Sequence, residues 1–157
     1  MAFYYWEDFV VGEEIRFGDH VVNETEMLEF ARAFDPQPLY ADPQAAADGP
    51  YAGLIASGWQ TAGWCMRMLV DNVLAQSSSL GSPGLDSLRW QQPVRAGDRL
   101  HVRCQVLASR VLKSRPQMGL AKLHFEVRNQ ADETVMTMVT NSLFGRRPDV
   151  VDAQVPA

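Results

Sequence analysis

The chain has 157 residues, 46% of them apolar and 21% charged, with a formal net charge of −5 at pH 7. That length and balance predict one soluble globular domain, large enough to bury about two-thirds of its unfolded surface. An acidic balance with no basic cluster excludes a nucleic-acid surface, and no apolar run is free enough of charge to span a membrane.

The N-terminal segment has early acidic residues and no basic flank ahead of an apolar run, so it does not read as a secretory signal and a cytoplasmic location is expected. Residues 3–9 are aromatic-rich, and Val11-Gly12-Glu13 reads as a turn. Loose alternation over 14–22 predicts a first strand. A helix follows, capped by Asn23 or Thr25. Met27, Phe30, Ala31 and Phe34 fall at i, i+3, i+4 and i+7 and form its apolar face. It must stop at Phe34 or Asp35, because Pro36 disfavours helical backbone in the residue before it.

Its end delivers Asp35 into the stretch Asp35-Pro36-Gln37-Pro38-Leu39-Tyr40-Ala41-Asp42-Pro43, a rigid loop with three prolines. Loops held rigid often carry binding or catalytic residues. A carboxylate here is either a turn-forming residue or a group held for chemistry, and position leaves the two open. Asp42 reads as the cap of a short helix from Pro43 to about Asp48. Residues 49–53 make a turn.

The longest helical pattern spans about 57–75, with Ser57 as N-cap. Ala62, Cys65, Met66, Leu69, Val70, Val73 and Leu74 are apolar, and Trp59, Trp64 and Met68 widen the face. Arg67 and Asp71 mark a narrow solvent stripe. A helix so apolar is expected to be wrapped by the rest of the domain. Gly58 lies in its first turn, where backbone N–H groups lack intrahelical partners and suit an anion. Gly58 is either such a site or a small residue for helix packing.

Residues 76–84 are rich in serine and glycine and are expected to be flexible. Strands then follow over 85–93, from 99, over 122–128 and from 133 to about 146, joined by short turns, an antiparallel meander on one helix. Cys65 and Cys104 fall in apolar patterns and are expected to be reduced core thiols. Neither has metal-ligand spacing, so no metal site is predicted. His101 and His124 lie on polar strand faces, and His20 lies near a strand end. None is near Asp35 in sequence, so no histidine stands out as a base. No nucleophile elbow or phosphate loop is present.

Phe34-Asp35-Pro36-Gln37-Pro38-Leu39-Tyr40-Ala41-Asp42, followed by Leu54-Ile55-Ala56-Ser57-Gly58-Trp59, resembles the MaoC-like dehydratase family, the (R)-specific enoyl-CoA hydratases. Gly81-Ser82-Pro83-Gly84, Arg89-Trp90, Pro93-Val94-Arg95-Ala96-Gly97-Asp98 and Arg128-Asn129-Gln130 match it in order. The resemblance implies an α+β hot-dog fold, a long central helix wrapped by an antiparallel sheet. The domain would cover 1–148 and leave 149–157 as a disordered tail. It further implies hydration of 2-enoyl-CoA, or dehydration of 3-hydroxyacyl-CoA, with acyl-CoA as substrate and no cofactor. The family forms dimers through its sheets, so a homodimer or higher even oligomer is expected.

By the same resemblance, Asp35 matches the family's catalytic aspartate and the Gly58 N–H its donor to the thioester carbonyl. Tyr40 stands where the family has histidine. A phenol has a pKa of about 10, so ionising it at pH 7 costs about 4 kcal/mol, and a neighbouring carboxylate adds to that. Tyr40 therefore donates rather than accepts. Three readings stay open: a hydratase with Asp35 as sole base, a non-catalytic acyl-CoA-binding or partner subunit of the same fold, and a hot-dog thioesterase.

Overall fold

The computed structural model describes residues 3–153 of the chain. A 3-10 turn over Trp6–Asp8 leads into strand β1, Glu14–Val21. Helix α1, Glu24–Phe34, starts at Asn23, whose side-chain oxygen accepts the Glu26 N–H at 2.9 Å. That bond satisfies one of the donors a helix start leaves free. The helix stops at Asp35, which Pro36 keeps out of helical geometry (φ −149°, ψ 65°). Met27 and Ala31 are buried as the apolar periodicity requires, but Phe34 is 76% exposed. Its ring meets Phe30 of the same helix, with centroids 5.1 Å apart, and stays outside the buried core.

Two short helices follow, α2, Pro38–Ala41, and α3, Pro43–Ala47. Each has proline in its first turn, where a missing N–H costs nothing. Asp42 caps α3 by accepting from the N–H groups of Gln44 and Ala45. The proline-rich stretch is therefore partly helical rather than all loop. Proline breaks the α1 helix but also starts these new turns.

Helix α4, Gly58–Asn72, ends three residues short of the expected boundary, in a 3-10 turn over Leu74–Gln76. It buries Gln60, Thr61, Trp64, Cys65, Met68 and Leu69. Trp59 and Met66 are 60% and 45% exposed, so α4 is covered on one side rather than enclosed. Arg67 and Asp71 pair at 2.9 Å on its open side.

Strands β2, Gly84–Trp90, β3, Arg99–Val111, β4, Met118–Arg128, and β5, Thr134–Gly145, complete one antiparallel five-stranded sheet in the order β1-β3-β4-β5-β2. Side chains of a strand alternate between faces. Leu100, Val102, Cys104 and Val106 of β3 and Ala121, Leu123, Phe125 and Val127 of β4 all point inward. With register pairs such as Cys104 opposite Phe125 and Phe125 opposite Met138, these residues form a layer against α4. Each large side chain buried this way contributes about 1.5–3 kcal/mol. A helix laid across a curled antiparallel sheet is the hot-dog arrangement.

The serine-rich stretch before β2 is tied down. Ser78 donates its N–H to the Tyr4 carbonyl and its hydroxyl to the Gly145 carbonyl, both at 2.9 Å, and the Leu80 N–H reaches the Leu143 carbonyl at 2.8 Å. Composition suggested flexibility, but these donors find acceptors in the N-terminal segment and at the end of β5. A short helix α5, Pro148–Ala153, occupies part of the expected tail, with the N–H groups of Val150 and Val151 on the Arg147 carbonyl. Residues 154–157 lie outside the described residues.

Candidate functional site

The C-terminal end of α1, the proline-rich stretch, the first turn of α4 and the end of β2 converge on one cavity of about 350 Å³. Asp35, Tyr40 and Gly58 all line it, together with Gln37, Tyr51, Trp59 and Trp90.

Both oxygens of Asp35 are held. Oδ1 accepts from Gln37 Nε2 and Oδ2 from the Ser57 hydroxyl, each at 2.7 Å. Ser57 is buried and stands at the N-cap position of α4, yet its side chain makes no capping bond. Its hydroxyl is spent on Asp35 instead. Its carbonyl still starts the helix, accepting from Gln60 and Thr61 N–H at 3.0 and 3.2 Å. Among the described residues, the N–H groups of Gly58 and Trp59 have no acceptor. They form the positive end of α4, and both residues line the cavity.

Tyr40 is half-buried, and its pKa is raised above the usual 10, by burial first and then by the charge of Asp35 and the neighbouring Tyr51. The phenol therefore stays protonated at physiological pH. Its hydroxyl has no hydrogen-bond partner among the described residues and is free to donate to a ligand or a water. Tyr51 lines the cavity as well, and Arg95 Nη2 donates to its carbonyl at 2.6 Å.

Gly58 carries a second constraint. Trp90 Nε1 donates to its carbonyl at 2.8 Å, and the indole fills the space a Cβ at position 58 would need. The packing explanation for this glycine therefore has a definite physical basis, beside the open N–H groups. Ser57 and Trp90 were missed as site residues because each acts through a partner distant in sequence. Gln37 was the one partner within reach, two residues from Asp35.

None of the three histidines lines the cavity. His20 pairs with Glu26 at 2.6 Å and lies 5.1 Å from the Trp64 ring, while His101 pairs with Asp132 at 3.3 Å. Among the described residues, no group of three or more His, Cys, Asp or Glu side chains is placed to hold a metal ion. Nor is any helix among them long and apolar enough to cross a membrane. The cavity thus offers one fixed carboxylate, the neutral Tyr40 phenol, the open backbone donors of Gly58 and Trp59, and aromatic walls. That set suits a reaction in which a proton leaves water while negative charge grows on a carbonyl oxygen.

Residues 8–128 match the MaoC like domain. A UPF0336 protein of Streptomyces avermitilis is 32% identical over 126 residues, which cover 76% of this chain and 81% of that protein. The crystal structure of the MaoC-like dehydratase from Rhodospirillum rubrum is 38% identical, with a TM-score of 0.85 over 92% of this chain and 99% of that one. The (R)-hydratase of Pseudomonas aeruginosa, at 21% identity and a TM-score of 0.72 over 91% of this chain and 86% of its own, shares the fold. With a match that takes in the proline-rich stretch, the first turn of α4 and most of the sheet, the chain belongs to the MaoC-like domain family.

Proposed function

We propose that this protein hydrates 2-enoyl thioesters, or runs the reverse dehydration of 3-hydroxyacyl thioesters, with acyl-CoA as the substrate. The observation that carries this reading is the meeting of Asp35 and the open N–H groups of α4 at one cavity. Each has a bland explanation alone, but packing does not require both at the same site. Family membership and the 38% identical MaoC-like dehydratase support the reaction class.

A water between Asp35 and Tyr40 would donate one proton to the Asp35 carboxylate as its oxygen bonds to the substrate β-carbon. The π electrons move onto the thioester oxygen, whose charge the open N–H groups of Gly58 and Trp59 stabilise, a donor of this kind being worth about 3–4 kcal/mol. Protonated Asp35 then returns the proton to the α-carbon, so the reaction adds one water and leaves the carboxylate as it began. Ser57 and Gln37 hold Asp35 in place, and the Tyr40 hydroxyl orients the water. The sheet leaves β1 and β2 as open edges. Pairing of such edges makes a homodimer or higher even oligomer the working unit.

Steady-state hydration of crotonyl-CoA and longer enoyl-CoAs tests the reading. Wild type should turn over, and Asp35→Asn should lose at least about 100-fold. The second reading, a subunit that binds acyl-CoA without turning it over, is favoured by Tyr40, a phenol with a raised pKa where the family has histidine. It replaces the first if wild type and Tyr40→His both bind acyl-CoA by calorimetry and neither hydrates any enoyl-CoA.

A further inference from the structure

We propose that Trp90 is a positioning residue for the first turn of α4, and that Trp90 and Gly58 form an interlocked pair that aims the open N–H groups at the cavity. The interlock rests on geometry alone. What those donors do in catalysis rests on the reaction proposed above.

Helix α4 begins poorly for a buried helix. Its N-cap side chain is diverted to Asp35, and its first residue is glycine, among the least favourable residues inside a helix. An uncapped, glycine-started turn frays. Two bonds from outside the helix prevent this. Asp35, at the end of α1, holds the Ser57 hydroxyl, and Trp90, the last residue of the edge strand β2, holds the Gly58 carbonyl. The Ser57-Gly58-Trp59 segment is therefore pinned from both sides.

The Trp90 bond has a directional consequence. The Gly58 carbonyl and the Trp59 N–H belong to one planar peptide unit. Fixing the oxygen fixes where the N–H points, and a donor on the oxygen polarises the N–H at the other end. The same oxygen also lies in the helix, where it accepts the N–H four residues on. The indole hydrogen bond takes its second lone pair. Trp59 completes the clasp by packing edge-on against Trp90, with ring centroids 5.1 Å apart at 79°.

Glycine at position 58 follows from the same contact. Its φ is not in the left-handed region, so the backbone does not demand glycine there. The indole does, because a Cβ would fall on Cε2, Cδ2 and Nε1 of Trp90. Trp90 also lines the cavity, so the residue that holds the donors forms part of the wall beside them.

A double-mutant cycle separates the interlock from the reaction. Gly58→Ala should lower the thermal midpoint by several degrees in wild type and change it little in Trp90→Ala, where the space is vacant. If Gly58→Ala alone fails to fold, recovery of a folded protein in the double variant carries the same meaning. Equal effects in both backgrounds, or a double variant that also fails to fold, overturn the interlock. Neither readout needs turnover.

The positioning role is read from Trp90→Phe, which keeps a ring and removes the N–H. At a temperature where both proteins are fully folded, crotonyl-CoA hydration should show kcat about tenfold lower, less than the 10²–10³-fold typical for deleting a donor outright. The Kd for unreactive butyryl-CoA should stay within about threefold. An unchanged kcat, or a kcat loss matched by an equal loss of butyryl-CoA sites, overturns it. If wild type hydrates nothing while the cycle shows coupling, the reaction fails, the positioning role falls with it, and the interlock stands.

Discussion

Tyr40 stands, by the resemblance drawn from the sequence, where the family has histidine, and its surroundings keep it neutral. Burial, the Asp35 charge and Tyr51 all raise its pKa, so its ionisation should leave no inflection in a hydration rate profile up to pH 10. Tyr40→His would place a base of pKa about 6.5 beside Asp35. General acid–base groups contribute 10²–10⁴-fold, so enoyl-CoA hydration should rise by at least about tenfold. Tyr40→Phe removes only the hydroxyl. A fall in kcat assigns the phenol to the water, whereas an unchanged rate makes it a wall of the acyl pocket and leaves Asp35 working alone. Position alone left Asp35 and Gly58 open; the resemblance singled them out with Tyr40, and the structure brings all three to one cavity. Their partners were not legible. Ser57 has the composition of an N-cap, and only the folded chain shows its hydroxyl turned toward a carboxylate on another element.

At the scale of elements, α1 owes its start to one side chain. Asn23→Ala removes the bond to the Glu26 N–H and should cost about 1 kcal/mol, seen as a lower urea midpoint with an unchanged slope. Because α1 ends at Asp35, the same change should increase hydrogen exchange along the helix that carries the carboxylate. The boundaries of α1 were readable from its cap and from Pro36, and the strands from alternation, though β2 stops at Trp90 rather than 93 and β4 starts at Met118, ahead of the alternation at 122. The exposure of α4 was not, because periodicity identifies apolar residues without saying how many of them a single sheet can cover. Trp59 is the clearest case. It extends the apolar arc of the helix, yet it lies beside Trp90 at the mouth of the cavity. The serine-rich stretch before β2 misled for a related reason, since composition does not reveal acceptors supplied by a distant strand.

Across the whole molecule, charge pairs lace the sheet's outer face and set its response to acid. Hydrogen bonds from Arg103, and secondarily from Arg16, hold Glu14 at a pKa of about 2 instead of 4.5. A carboxylate with a depressed folded pKa contributes stability above its unfolded value and loses it as pH falls toward the folded one. Thermal midpoints should therefore fall between pH 4.5 and 2, and Glu14→Gln should flatten part of that fall. The open β1 and β2 edges predict an even oligomer, so light scattering at micromolar concentration should return at least twice the monomer mass of 17.5 kDa. Cys65 on α4 and Cys104 on β3 face the same core, and burial pushes both thiols up to about 12. Neither is nucleophilic in the native state, because the thiolate is the reactive form. The pair therefore works as an internal stopwatch. A thiol reagent such as DTNB in excess should modify them no faster than α4 lifts from the sheet, so the labelling rate reads how often the core opens without added denaturant.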